Sequence, residues 1–456
     1  MFTVDRLLPT PLPVQIAAGM RELVSTGRLA AGDRVPSTRD LAARLGVSRG
    51  SVVSAYDQLL SEGFLLSSQG APTIIHPELV AGPRLPTPRP RTTGPRPARG
   101  PARISLKPSS ANAGTIRPAA WRRAWRVAAA EPASGVDKSG EPALRHAIAD
   151  HLRLSRGLAV DPDDVLVTGG SREGLLLILM ALGHGLRVGV EDPGHPGLCS
   201  VIPLAGHSAV TCGTDEMGVV VAELPEDLDA LLVTPSHLYP LGGPMPAPRR
   251  SALIEWAAGS GTVLIEDDFN AELRYRVSPQ PTLSTVAGEA AVVTLGTFST
   301  LLSRQLAAGY VVADADTIDM LRETRELLGM PVSAVTQRAI AHLLAGGYVR
   351  RNTRSVHSQL LRRREVIRER VLPALLTAGA TVLGASEGVG ADVAIAFTGA
   401  GEKARFERFL ASCGLICSSL PARGTGREEG FILSFAHLKD EEFTCAVDLL
   451  CTISTR

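Results

Sequence analysis

Residues 77–103 hold eight prolines and six arginines against a single glutamate. Proline offers no backbone N–H, and a run this rich in proline and charge can neither join a sheet nor bury a core. The chain therefore folds as two separate parts, one on each side of this segment. Extended at about 3.1 Å per residue, its 27 positions reach at most roughly 80 Å, so the two parts can act at different places. The sequence reads as residues 1–76, a flexible linker over 77–103, and residues 104–456. A length of 456 residues suits this division, because domains average roughly 100 to 200 residues.

Charge divides at the same place. Residues 1–103 carry 13 Arg against 7 Asp/Glu, net +6, and the remainder carries a net −5. The basic end is the candidate polyanion binder. With 45% apolar and 20% charged residues and a net charge of +1, the whole chain is neither disordered nor a nucleic-acid packaging protein. The longest apolar run, Leu175 to Leu182, has eight residues, against the roughly 20 that a bilayer requires. A cytoplasmic protein without a membrane partner is expected. Six cysteines in so long a chain form neither a disulfide framework nor a zinc ligand set, and read as thiols.

Three helical patterns and two short strand-like pieces fill residues 1–76. The second helix starts at Ser37, where Ser-Thr-Arg-Asp resembles a capping box, and ends at Gly46. Ser48 caps the third, whose Val52, Val53, Tyr56, Leu59 and Leu60 form a core-facing stripe. Two helices joined across Gly46-Val47 describe a helix-turn-helix, and Phe64 to Leu66 with Thr73 to Ile75, around Gln69-Gly70, a wing. Such a motif presents the start of its third helix to the major groove. Ser37, Thr38, Arg39, Ser48, Arg49, Ser51 and Tyr56 are the candidate DNA contacts. A three-helix module with exposed arginines also suits a protein-interaction domain.

Val35-Pro36-Ser37-Thr38-Arg39-Asp40-Leu41-Ala42, Leu45-Gly46-Val47-Ser48-Arg49, Val52-Val53-Ser54-Ala55-Tyr56 and Glu62-Gly63-Phe64 together resemble the winged helix-turn-helix of GntR-type regulators. The resemblance implies binding to a double-stranded DNA operator through Arg39, Arg49 and Ser51. It also implies a homodimer, since one module alone makes too few contacts for operator affinity.

Beyond the linker, apolar runs alternate with helical stretches: Val165 to Thr168, Arg187 to Glu191, Ala230 to Thr234, Val263 to Asp267, Ala291 to Leu295 and Gly309 to Ala313. This predicts an α/β fold, an open sheet with helices on both faces and ligands at the carboxyl ends of its strands. Ordered landmarks then carry a second resemblance. They include Gly140-Glu-Pro-Ala-Leu-Arg145, Thr168-Gly169-Gly170-Ser171, Glu191-Asp192-Pro193-Gly194, Pro235-Ser236-His237-Leu238-Tyr239-Pro240, Glu266-Asp267-Asp268-Phe269 and Gly296-Thr297-Phe298-Ser299-Thr300. Residues 104–456 resemble fold-type I aminotransferases, with their mixed, mostly parallel sheet, and the whole chain resembles a MocR-type regulator.

The resemblance implies a pyridoxal phosphate pocket. Gly170 and Ser171 open a helix suited to a phosphate, with hydroxyls of Thr297 and Ser299 beside it. Asp267 would pair with the pyridine nitrogen, His195 stands at the ring-stacking position, and Tyr239 and Phe269 stand where the family contacts the ring oxygen. Arg172 and His237 complete the candidate pocket.

Where the family places its Schiff-base lysine this sequence has Thr300, and no lysine occurs anywhere between residues 139 and 402. Threonine cannot form an imine. Ala307 replaces a family arginine, and Ile432 stands where the family grips a substrate carboxylate. The resulting expectation is a transcriptional regulator, not an enzyme, whose second domain binds a small-molecule effector or serves as a dimerisation scaffold. Pyridoxal phosphate would bind there noncovalently at most. The competing reading is an aminotransferase carrying a DNA-binding appendage.

Overall fold

The computed structural model describes residues 2–68, 72–79, 104–108, 116–132, 135, 137–241, 243–269, 271–272, 280–384, 392–420 and 429–453, without the side chains of Thr300 and Arg304. The Gln69-Gly70 tip of the wing and residues 80–103 of the linker lie outside the described residues. The chain divides into two compact units, Met1–Ala98 and Arg99–Arg456.

The first unit contains helices Leu12–Ser25 (α1), Thr38–Leu45 (α2) and Arg49–Ser61 (α3), then strands Leu65–Leu66 (β1) and Ile74–Ile75 (β2), paired antiparallel. Ser37 caps α2 by accepting the Asp40 N–H at 3.1 Å, but the box is only half formed. The Asp40 carboxylate accepts from the Ser37 hydroxyl at 2.7 Å rather than from the backbone. Gly46 closes α2 at φ 65°, a left-handed turn that glycine adopts without steric penalty. Ile16, Met20, Leu41, Val52, Tyr56, Leu59 and Ile75 form the core. Val53, expected in that stripe, is exposed and Ala55 is buried in its place, so the apolar stripe is narrower than the sequence suggests.

An eight-stranded mixed sheet dominates the second unit. Its order is Val165–Thr168, Gly309–Val312, Val292–Thr297, Val263–Asp267, Ala230–Val233, Arg187–Asp192, Ser208–Asp215, Gly218–Val219. Neighbours run parallel except Gly309–Val312, antiparallel to both its flanks, and the edge strand Gly218–Val219. Alternate residues feed opposite cores. Leu166, Leu232 and Ile265 pack on one face, while Val165 and Val167, or Leu231 and Leu264, pack on the other. Such double burial explains why these strands read as continuous apolar runs. Helix Ser171–Leu182 lies close on the sheet because a Cβ on Gly174 would stand 2.8 Å from Leu295.

After residue 313 the alternation ends. A separate antiparallel sheet, ordered Ala380–Leu383, Asp392–Phe397, Gly430–Ser434, Ser418–Leu420, packs with helices Ala400–Cys413 and Asp440–Cys451. Its core is a run of phenylalanines; Phe406 and Phe431 stand 5.1 Å apart and tilted, a favourable aromatic geometry. All six cysteines are free thiols. Among the described residues no helix is long and apolar enough to cross a membrane.

Candidate functional site

On the first unit, the exposed Arg39 lies in the first turn of α2 and the exposed Arg49 begins α3. Ser48 accepts the Ser51 N–H at 3.1 Å, and their hydroxyls lie 2.8 Å apart, so the two serines order the start of α3 through each other. Thr38 is half-buried at the first position of α2. Tyr56 is a correction. It stands in the core, its hydroxyl donating to the Pro36 carbonyl at 2.8 Å and its pKa pushed up to about 12 by burial. It ties α3 to the turn ahead of α2 and does not belong to the DNA-facing set. The core stripe in the sequence had already pointed that way.

In the second unit, strand register brings several of the candidate site residues together. Thr168, Gly309 and Thr297 lie side by side across three strands. Two residues after the first of them, Gly170, at φ 101°, caps helix Ser171–Leu182 without offering a side-chain oxygen to its first-turn N–H groups. No described atom lies within 4 Å of where a Gly170 Cβ would stand. On the neighbouring strand end, Thr297 donates to Ser299 at 3.0 Å and accepts the Ser299 N–H at 3.1 Å. Ser299 opens a wide π-helical turn, Ser299–Ser303, that contains Thr300, and Asn352 donates to the Leu301 carbonyl at 2.8 Å. The Thr300 side chain lies outside the described residues. Arg172 is exposed and lays its guanidinium against Gly197, where a Cβ would meet Nη2 at 2.2 Å.

Four aromatic side chains lie close together. The His195 ring centroid lies 5.1 Å from that of Tyr239 and 6.4 Å from that of Phe269, while His237 lies 6.1 Å from Phe269. Tyr239 also packs with Leu420 and Ile432, with Leu383 beside them, so the second sheet supplies an apolar wall. Burial, with the nearby Asp392 charge, pushes the Tyr239 hydroxyl to about 12.

Four buried acids crowd the sheet edge, and they fall into two classes. Asp268 is compensated: Arg156 contacts it at 2.7 and 3.1 Å, and Ser236 bonds both partners. Glu266 accepts the Leu283 N–H at 2.8 Å and feels both Arg156 and Arg250, yet burial still lifts its pKa to about 8. Among the described residues no basic side chain stands against Asp267 or Glu191. Burial first, then the neighbouring Asp268 and Glu191, raise Asp267 to about 7, with the Phe269 N–H pulling the other way. Its Oδ1 is buried without a hydrogen-bond partner among the described residues. Glu191 accepts from the Thr234 N–H at 3.1 Å and from its hydroxyl, but its Oε1 is likewise unpartnered, and burial takes its pKa to about 7. Leaving a buried acceptor unmade costs about 1–3 kcal/mol, so a ligand bringing an N–H donor would be favoured here.

The sequence reading did not single out Glu191 as a pocket residue, although an acid ending an apolar strand was the available signal. No sequence signal links Arg156 to Asp268, 112 residues away.

A winged helix-turn-helix followed by an aminotransferase fold defines a class, the DNA-binding regulator with an enzyme-like second domain. The sequence matches the family of bacterial regulatory proteins of the gntR type over residues 12–75 and aminotransferase class I and II over residues 110–424. It is 44% identical over 361 residues to the HTH-type pyridoxine biosynthesis transcriptional regulator PdxR of Corynebacterium glutamicum, covering 79% of each chain. It is 31% identical over 351 residues to the transcriptional regulator TauR of Rhodobacter capsulatus, covering 72% of each. Similarity extends to the probable rhizopine catabolism regulatory protein MocR of Rhizobium meliloti, 29% identical over 82% of this chain and 79% of that one. Among solved structures, the kynurenine aminotransferase of Pyrococcus horikoshii shares the fold at TM-score 0.68 and 21% identity, over 77% of this chain and 91% of the other. The chain belongs to the MocR-type family of GntR regulators and is a DNA-binding transcriptional regulator.

Proposed function

We propose that this regulator senses a small molecule in its aminotransferase-like domain and performs no transamination. Residues 1–76 are the DNA-binding module, 77–103 the linker and 104–456 the effector and dimerisation domain of a cytoplasmic homodimer. Arg39, Arg49 and Ser51, with Thr38, Ser37 and Ser48 ordering their helices, form the DNA-contacting edge. One observation carries the effector reading. The buried Asp267 Oδ1, at a strand end, has no hydrogen-bond partner among the described residues, which favours a ligand that brings a donor to it.

The residues present fit a vitamin B6 phosphate, the fold family's cofactor class. When bound in an enzyme that group supplies an electron sink. In this chain Asp267 would accept from a protonated ring nitrogen and His195 would lie against the ring. The free first turn at Gly170 and Ser171, with the Thr297 and Ser299 hydroxyls, would hold the phosphate. Thr300 offers no amine, and Ile432 with Leu420 presents an apolar surface where a carboxylate clamp would be required. The relative named for pyridoxine biosynthesis makes such phosphates the first ligands to test. Effector binding would bias dimer arrangements that hold the DNA modules at different spacing.

The purified full chain, mixed with pyridoxal phosphate and treated with borohydride, should yield no lysine-linked adduct by mass spectrometry. Pyridoxamine phosphate, which has no aldehyde, should raise the melting temperature as the aldehyde does; at 100 times its Kd either adds about 2.7 kcal/mol. A lysine-linked cofactor, or measurable transamination, would establish the enzyme reading instead. No shift with either phosphate would reject the B6 assignment.

A further inference from the structure

The match to the GntR family begins at residue 12, so the arm ahead of α1 lies outside it. That arm has a defined course. Phe2 sits on Gly19 of α1, where a Cβ would stand 2.3 Å from the ring, so the missing side chain is the seat for Phe2. Gln15 then clamps the segment at both ends. Its Oε1 accepts the Asp5 N–H at 2.9 Å, and its Nε2 donates to the carbonyls of Asp5 and Thr10, each at 2.8 Å. Asp5 Oδ1 accepts the Leu7 N–H at 2.8 Å and closes a tight local turn. Leu7 itself is 93% exposed, so this part of the arm is held by polar bonds and not by burial of its leucines.

The turn sends Arg6 across the module to the Gly46 carbonyl, to which its Nη2 donates. Gly46 is the left-handed residue joining α2 to α3, two positions ahead of the Ser48 cap. A guanidinium has five N–H donors, so one carbonyl leaves most of them to solvent. The charge is also uncompensated. Arg21 of the same module pairs with Glu62 at 2.6 Å, whereas no described carboxylate stands within ion-pair distance of the exposed Arg6.

We propose that Arg6 is a DNA phosphate contact, presented by the clamped arm beside the start of the recognition helix. In helix-turn-helix docking the helix preceding the recognition helix crosses the duplex backbone while the N-terminal residues of the recognition helix reach base edges. A cation fixed at the turn between those helices meets phosphate oxygens there. The clamp orders the side chain's attachment in advance, which lowers the entropy cost of the contact. The contact carries no sequence information and positions the module.

The inference rests on the helix-turn-helix reading, and the experiment separates the two. The full chain is titrated against a fluorescein-labelled duplex of mixed sequence at several KCl concentrations. Arg6→Gln keeps a donor for the Gly46 carbonyl but removes the charge. It should flatten the slope of log K against log salt by about 0.9 and weaken binding severalfold, and Arg6→Lys should restore the slope. Gly19→Ala, which fills the seat of Phe2 and alters no charge, should move the slope in the same direction. If Arg6→Gln keeps the wild-type slope while Arg49→Ala lowers it, Arg6 only caps α2 and the proposal falls. If neither changes the slope, the DNA-facing assignment of the helix-turn-helix edge falls first.

Discussion

The two halves of this regulator satisfy their polar groups in opposite ways. At the DNA-facing edge the partners are three residues apart: Ser37 with Asp40, Ser48 with Ser51. At the sheet edge they are distant in sequence, as with Arg156 and Asp268, and one carboxylate oxygen each of Asp267 and Glu191 has no partner among the described residues. Local closure orders the proposed DNA edge from within, and Arg39 and Arg49 are exposed on it. The pocket has an electrostatic deficit that a ligand could remove.

The largest way to disturb that contrast is Arg156→Ala. It would leave Asp268 buried and unpaired, and the second unit should lose about 3–5 kcal/mol by thermal unfolding, while DNA binding at a temperature below the transition is retained. An equally stable variant would place the Arg156 pair among the dispensable groups.

Asp267→Asn acts in the other direction. Asp267 has its usual value of 3.8 raised to about 7 in the folded chain, so between about pH 4 and 7 the native state holds a proton that the unfolded chain has lost. Stability must therefore fall as pH rises through that window. Glu191 adds to the fall with the same sign. Removing the Asp267 titration should flatten the decline measured by thermal unfolding between pH 5 and 8, by at most about 3 kcal/mol. An unchanged pH profile would mean that the carboxylate has a compensating partner.

On the DNA side, Arg49→Ala should cost about 1–3 kcal/mol of duplex affinity in an anisotropy titration without changing the melting of the second unit. Tyr56→Phe sharpens the contrast at the smallest scale. Losing the bond to the Pro36 carbonyl should cost the first unit about 1 kcal/mol of stability, with the salt slope of DNA binding unchanged. A changed slope would return Tyr56 to the DNA-facing set.

What could be read from the sequence follows the same division. Caps and breakers act locally, so Ser37, Gly46 and Ser48 marked the module's helices directly, and strands buried on both faces, such as Val263–Asp267, stood out as apolar runs. Tyr56 falls in the core stripe by its spacing, yet its amphipathic side chain also suits a surface, and its burial with the bond to the Pro36 carbonyl decides between them. The second sheet escaped because its strands, such as Ser418–Leu420 and Ala380–Leu383, are short and antiparallel. His195, His237, Tyr239 and Phe269 stood out through the family landmarks, but the lack of any described cation against Asp267 or Glu191 is a tertiary fact. So is the reach of Arg6 to Gly46, 40 residues away.

Asp267 and Asp268 are consecutive, yet the first interacts with Glu191 while the second is coupled to Glu266 and Arg156. The pleat at this strand end works as a divider, storing settled charge behind one side and turning an open account toward the other. Inserting or deleting a single residue within Val263–Asp267 would exchange the two sides, turning Asp268 away from Arg156 and Asp267 toward it. Length at this strand is thus under tighter constraint than side-chain identity in its apolar middle.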